Sequence, residues 1–124
     1  MDIDYKKKYG IRLLEKLIQS TKQDDLLWVK KHSDHGQSEF LTYFIGDEKI
    51  NFGYSVDPAY EDERVIDGFF ITFINSENVE YMLFLFVDAE DQSFKLANTL
   101  LNEIENSIFK HFSINLEKFL NNVV

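Results

Sequence analysis

The chain has no cysteine among its 124 residues, so it can form neither a disulfide nor a thiolate metal site. One proline and five glycines leave little room for a long flexible linker. No apolar run approaches the ~18–20 residues that span a bilayer, and the basic N-terminal residues are not followed by an apolar segment. We therefore expect neither a membrane span nor a signal peptide, and we predict a cytoplasmic protein.

Positive charge is also scarce. Thirteen Lys and Arg residues stand against 22 Asp and Glu residues, which gives a formal net charge of −9. Binding to phosphate backbones needs clustered cations, and the basic run 6–8 is too short to provide them, so we predict no nucleic-acid partner. An acidic surface favours solubility, which is its simplest interpretation, and it attracts basic partners. The preference for Lys over Arg, with frequent Ile, Asn and Phe, indicates a bacterial or phage genome.

The spacing of apolar residues predicts an α+β fold: a five-stranded, mainly antiparallel sheet with an N-terminal helix, a long C-terminal helix and a short terminal helix. Hydrophobic residues make up 44% of the chain, which suffices for one core, so we expect residues 1–124 to form a single α+β domain. Helical spacing predicts helices over 9–22, 92–112 and 114–122, the last capped by Ser113. Strands are predicted over 26–30, 39–45, 49–56, 65–74 and 79–87.

The hairpin predicted over 65–87 is apolar on both of its faces. Phe69, Ile71 and Phe73 alternate with Phe70 and Ile74, and the second strand has the same character. Two helices can cover one face of the sheet, and a large exposed apolar patch is unusual in a monomer. We therefore expect the other face to meet the terminal helix, a second copy in a homodimer, or a different protein.

Acidic residues cluster in the irregular stretch 57–64 between the two predicted hairpins, and Asp67 extends the group. Its simplest interpretation is a solvated connection, because it lacks the oxygen-ligand spacing of an EF-hand. Carboxylates in such a wet loop would also lack the separated pKa values that acid–base catalysis requires. The alternative is a binding site for a protein partner, with tyrosine beside the carboxylates as contact residue. The residues assigned to this partner-binding site are Asp57, Tyr60, Glu61, Asp62, Glu63 and Asp67.

Two further groups of residues contain side chains that can act as metal ligands. His32 and His35 lie three residues apart in a polar loop, and they can share a zinc ion only if other ligands converge on them. Asp88, Glu90 and Asp91 lie where a strand meets a helix, a place where magnesium sites occur. Capping of the helix explains these carboxylates more simply. We predict no metal site and no cofactor.

Catalytic motifs are missing from the sequence. The serines have no nucleophile-elbow glycines around them, and the isolated glycines form no phosphate-binding loop. Aromatic residues alternate with apolar neighbours in strands, a pattern that favours core packing over base stacking. We therefore expect a protein that is not an enzyme. A small enzyme or ligand-binding sensor, with a pocket between sheet and helices, is an alternative.

The acidic surface favours a module that binds a protein partner with a basic surface, because opposite charge speeds association. In this respect the chain resembles bacterial immunity proteins and phage-encoded inhibitors, which offer carboxylates to a basic active site. The resemblance implies a non-enzymatic inhibitor that neutralises one protein partner.

The element order resembles that of dimeric chaperones of bacterial effector export. Those chaperones also combine an N-terminal helix, antiparallel strands and a closing helix in an acidic chain of similar size. They usually place a helix between the third and fourth strands, where this chain has Pro58 and the acidic stretch. The resemblance implies a dimeric secretion-type chaperone as an alternative function.

Overall fold

Within the described residues, five antiparallel strands form one sheet in which each strand lies beside the next in sequence. The computed structural model describes residues 3–31, 37–56 and 66–122, except the side chains of 3–7, 44, 45 and 84. The strands are β1 (Trp28–Lys31), β2 (Gln37–Ile45), β3 (Glu48–Val56), β4 (Ile66–Ile74) and β5 (Glu80–Phe86). Helix α1 (Ile3–Lys22) precedes the sheet, and helix α2 (Gln92–Asn122) follows it. The predicted α+β fold, with its antiparallel sheet, N-terminal helix and long C-terminal helix, is confirmed.

Helix α1 begins six residues before its predicted start but ends where predicted. Its C-terminus is closed by two backbone hydrogen bonds: Asp25 N–H donates to Ser20 O over 2.9 Å, and Asp24 N–H donates to Thr21 O over 3.1 Å. This is the Schellman arrangement, which requires a left-handed residue after the helix. Asp24 takes that conformation with φ 58°. The helix therefore stops without glycine, and Asp24 is held at a fixed place beside α2.

Two short turns set the register of the hairpins. Gly46, with φ 56°, lies in the turn between β2 and β3. Between β4 and β5, the Asn75 side-chain oxygen accepts hydrogen bonds from Glu77 N–H and Val79 N–H, both 3.0 Å long. Asn78 supplies the left-handed residue of that turn, as asparagine often does. Both hairpins predicted from the sequence are present.

Both helices pack on the same face of the sheet, which we call the helix face. There the side chains of Phe52 and Phe69 stack with ring centroids 5.6 Å apart, and Phe94 of α2 meets Phe69 edge-on at 5.0 Å. Alternation along each strand places every second residue in this core. The buried core residues are Leu14, Leu17, Ile18, Trp28, Phe40, Ile50, Phe52, Tyr54, Phe69, Ile71, Ala97, Leu100, Leu101 and Ile104.

The prediction of a separate short helix capped by Ser113 is wrong, because α2 runs without a break from Gln92 to Asn122. A serine inside a helix costs only about 0.5 kcal/mol relative to alanine, and neither glycine nor proline stands nearby to end the helix. The cap-like sequence was therefore not sufficient to stop it. Neither helix in the described part of the chain has the length and hydrophobicity needed to cross a membrane.

The opposite face of the sheet, the outer face, is not covered by either helix within the described residues. Its centre is nevertheless buried: Asn51, Thr72 and Ile74 are nearly inaccessible to solvent. The ring of Phe70 lies over Gly53, where an added Cβ atom would approach the ring to 2.3 Å. Toward β5, in contrast, the side chains become exposed. The outer face therefore divides into a packed centre and an apolar edge.

Candidate protein-binding surface

Strand β5 carries apolar side chains that project into solvent. It is the last strand in the spatial order of the described sheet, so one of its two edges faces away from β4. Met82 and Leu85 lie on the outer face, opposite Thr72 and Phe70, and are 62% and 64% exposed. Val87, just after the strand, is equally exposed. We call Met82, Leu85 and Val87 the β5 surface.

A bulge interrupts β5 at its middle. Ile71 pairs with Phe84 and Thr72 pairs with Met82, which leaves Leu83 without a partner in the register. Bulges on edge strands increase the local twist and hinder the addition of another strand. The β5 surface is therefore better suited to contact through side chains than to a long backbone ladder with a new strand.

The stretch of chain that contains the β5 surface is negatively charged. The described residues from 66 to 94 contain six carboxylates and no Lys, Arg or His, so this stretch contributes −6 of the total charge of −9. All of them except the half-buried Asp91 are exposed. The six residues are Asp67, Glu77, Glu80, Asp88, Glu90 and Asp91. Exposed apolar side chains in a stretch of chain that has carboxylates and no cation are compatible with a basic protein partner.

Polar side chains in the centre of the outer face contact neighbouring side chains. Asn51 donates a hydrogen bond of 3.0 Å from Nδ2 to Oε1 of Glu39. Its own Oδ1 is buried and has no hydrogen-bond partner among the described residues. Thr72 Oγ1 lies 4.0 Å from the Met82 sulfur, so the packed centre is joined directly to the β5 surface.

Most of the partner-binding site predicted from the sequence lies outside the described residues. This applies to Asp57, Tyr60, Glu61, Asp62 and Glu63. Asp67 is described: it is the second residue of β4 and is exposed. The assignment of these residues therefore stays a prediction. The β5 surface belongs to the hairpin that is apolar on both faces, whose uncovered face we expected from the sequence to meet the terminal helix, a second copy or a different protein, but none of its residues was assigned to the partner-binding site.

An open groove lies between α2 and the first three strands. Its volume is about 310 Å³. Phe40 and Tyr54 of the sheet form one wall, and side chains of α2 form the other. The lining residues are Lys30, Phe40, Tyr54, Glu105, Ile108, Phe109 and Phe112. Apart from Lys30, Glu105 and the tyrosine hydroxyl, its side chains are apolar, so the groove suits an apolar side chain.

An ion pair joins the end of α1 to α2. Lys110 Nζ donates a hydrogen bond of 2.7 Å to Asp24 Oδ2, and His111 Nε2 lies 3.6 Å from Asp24 Oδ1. The hydrogen bond from Lys110 is the main reason that the pKa of the Asp24 carboxyl is lowered. The His111 Nε2 atom is buried and makes no hydrogen bond within the described part of the chain. This cluster links the C-terminus of α1 to α2 at the protein surface.

The carboxylates before α2 act as caps. Asp91 Oδ1 accepts a hydrogen bond of 2.8 Å from Ser93 N–H, and Asp88 Oδ1 accepts one of 3.0 Å from Glu90 N–H. The capping interpretation is thus confirmed for Asp91. In the described part of the chain, no group of three or more His, Asp or Glu side chains is placed to hold a metal ion. His32 and His35 lie outside the described residues.

Compared with protein-family models, with curated proteins and with solved structures, the chain has no significant match in any of the three.

Proposed function

We propose that this chain is a non-enzymatic binding module that captures a basic protein partner on the β5 surface and thereby neutralises it. The proposal rests on one observation: the exposed apolar side chains belong to a stretch of chain that has carboxylates and no cation. Met82 and Leu85 are more than half exposed, and no cation occurs from residue 66 to residue 94.

Energetic considerations support a protein partner at this place. Burying a methionine and a leucine that are already exposed stabilises a complex by ~1.5–3 kcal/mol for each side chain that becomes fully covered. The carboxylates of this stretch accelerate the approach of a cationic surface and disfavour an acidic one, and both effects are largest at low salt. Apolar contact and charge together select a basic protein with an apolar patch.

The experiment uses short synthetic peptides with one apolar core, flanked by either lysines or glutamates, and measures their binding by fluorescence anisotropy. We expect the lysine-flanked peptides to bind and to be released by added salt, because rim electrostatics are screened. Leu85→Lys should weaken this binding by about tenfold or more, as expected for a central contact residue. Equal binding of the glutamate-flanked peptides would contradict the proposed selectivity.

Val29→Lys is the matched control. Val29 lies on β1 at the opposite end of the sheet and is 60% exposed, compared with 64% for Leu85. Both variants add the same charge at a similar exposure. If Val29→Lys reduces binding as much as Leu85→Lys, the loss reflects net charge and the β5 surface is not the site.

A secretion-type chaperone is the second candidate. It is favoured by a second set of exposed apolar side chains, Phe109, Phe112 and Phe119 of α2, since an extended client can contact a large surface. An inhibitor binds a folded partner and abolishes its activity, whereas a chaperone binds an extended segment and leaves the folded form of the client unbound. Binding assays with the folded and the denatured form of the same partner distinguish the two functions.

A further inference from the structure

The end of α2 extends past the rest of the described structure. Residues 112–122 cover about three turns and about 16 Å of helix. Every one of their side chains is exposed except that of Ser113, which is half-buried. We call residues 112–122 the projecting segment. Its helix is continuous with the buried part of α2, so its geometry is set by the folded core.

An apolar stripe runs along this segment and begins one turn before it. Phe109, Phe112, Leu116 and Phe119 are spaced by three, four and three residues, which is the spacing of a coiled-coil seam. At 100° per residue, this stripe is rotated by roughly 110° from the arc that Leu100 and Ile104 direct into the core. The stripe is therefore a second apolar face of α2, available while the first face is buried.

The charge of this region differs from that of the β5 surface. Between residues 109 and 122 there are two lysines, Lys110 and Lys118, and one glutamate, Glu117. The positions beside the seam are uncharged, namely Ser113, Asn115, Leu120 and Asn122. Electrostatic attraction of a basic partner to this region is therefore weak. A second copy of this acidic chain, in contrast, can approach the stripe without like-charge repulsion along the seam.

The stripe is also complementary to itself. When two projecting segments lie antiparallel, Phe109 of one copy faces Phe119 of the other, and Phe112 faces Leu116. Each contact then occurs twice, as a two-fold interface requires. In the same arrangement Leu120 of the second copy comes to Ile108, where the groove of about 310 Å³ is lined by Phe109 and Phe112.

The area is sufficient for a weak, specific dimer. Phe109, Phe112 and Phe119 are 70%, 60% and 63% exposed, and Leu116 and Leu120 are partly exposed as well. At ~200 Å² for a phenylalanine, the stripe offers roughly 500 Å² per copy. The pair would bury roughly 1,000 Å², which is the size at which specific interfaces begin.

We propose that two copies of this chain associate through their projecting segments in an antiparallel arrangement, with each copy filling the groove of the other. This homodimer uses a surface distinct from β5, so it does not depend on the proposed function. Leu85→Lys, which tests the β5 surface, should leave the dimer unchanged.

Sedimentation velocity over a range of micromolar concentrations tests the dimer. We expect the wild-type chain to shift toward twice the monomer mass, and Leu116→Glu to remain a monomer. Ile114→Glu is the matched control, because Ile114 is 41% exposed against 44% for Leu116 and points to nearly the opposite side of the same helix. A wild-type chain that stays monomeric, or equal effects of the two substitutions, would overturn the proposal. Circular dichroism establishes that both variants are folded.

Cross-linking tests the direction of the two helices. Because the chain has no cysteine, single cysteines can be introduced without interference. A mixture of Phe112→Cys and Leu116→Cys should form a mixed disulfide on mild oxidation, since these positions face each other in the antiparallel pair. If two copies of Leu116→Cys form a disulfide efficiently and the mixed disulfide does not form, the pair is parallel and the proposed arrangement is refuted.

Discussion

Trp28 is buried, and its indole N–H is satisfied by a side chain from the end of α1. Trp28 Nε1 donates to Thr21 Oγ1 over 2.9 Å, and Thr21 Oγ1 donates in turn to Leu17 O over 2.7 Å. Thr21 is itself buried. This short chain of hydrogen bonds ties the last turn of α1 to the first strand, so one hydroxyl supports the packing of two elements.

Replacing Thr21 with valine should therefore destabilise the protein by about 1–3 kcal/mol. Valine has nearly the same shape but offers no acceptor, which leaves the buried indole N–H unpaired. Urea unfolding monitored by tryptophan fluorescence measures the change. Thr21→Ser, which keeps the hydroxyl, should lose less stability than Thr21→Val. A valine variant as stable as the serine variant would show that the hydrogen bond contributes nothing.

Ser113 can either cap a helix or lie inside one, and the two positions have different effects on stability. A serine that caps a helix contributes about 1 kcal/mol, and alanine cannot replace it. A serine inside a helix is instead slightly unfavourable compared with alanine. Since α2 runs through Ser113 without a break, we expect Ser113→Ala to leave stability unchanged or to raise it by up to about 0.5 kcal/mol. A loss of about 1 kcal/mol in thermal or denaturant unfolding would indicate a cap and a break in the helix.

The contact between α1 and α2 predicts a dependence of stability on pH. The pKa of the Asp24 carboxyl is lowered below its ordinary value of 3.8, first of all by the hydrogen bond from Lys110. A folded-state pKa below the unfolded value stabilises the protein above the unfolded pKa, and this stabilisation is lost as the pH falls through the folded pKa. Wild type should therefore be more stable than Lys110→Met near neutral pH, by a small amount because the pair is partly exposed.

The difference between wild type and Lys110→Met should disappear at a pH well below 3.8, where Asp24 is protonated in both proteins. Unfolding curves recorded across this range provide the measurement. His111 is present in both proteins, so its contact with Asp24 does not produce the difference. A gap that persists at the lowest pH would have to come from packing of the lysine side chain rather than from charge.

For the molecule as a whole, two exposed apolar surfaces differ in the charge of the chain that carries them. The β5 surface lies in the stretch 66–94, which has six carboxylates and no cation, whereas the stripe on α2 is flanked by uncharged residues. Under the two proposals above, a cationic partner is attracted to the β5 surface and a second copy of the chain binds at the stripe on α2. The net charge of −9 does not reveal this difference between the two surfaces, because it is a sum over the whole chain.

The fold was largely predictable from local patterns. Alternation along 49–56 and the turn residues Asn75 and Asn78 determine strands and hairpins through contacts between neighbours in sequence, so both hairpins were predicted. The break at Ser113 was predicted wrongly because a cap-like residue has little effect where the helix on either side is favourable. The partner of Trp28 was not predictable, since Thr21 reaches it only through the tertiary packing of α1.

The candidate site was less predictable than the fold. Exposure of Met82 and Leu85 depends on where β5 lies in the sheet, and a sequence pattern with two apolar faces does not reveal which face the helices cover. The acidic residues of 57–67 suggested charge complementarity, but the described geometry tests only Asp67 among them. From the sequence, Asp88, Glu90 and Asp91 were interpreted as caps and Asp67 as part of the partner-binding site, so these carboxylates were not connected with β5.

The strand order β1-β2-β3-β4-β5 has a consequence for the path by which the chain folds. Every pairing among the described strands joins neighbours in sequence, so the hairpins can form early with short loop closures. The core is complete only when α2 adds Ala97, Leu100 and Ile104, and the contact of Lys110 with Asp24 spans 86 residues. During synthesis on the ribosome, the apolar helix face of a preformed sheet therefore stays exposed until α2 has been made. A nascent chain would be most prone to aggregate during this interval.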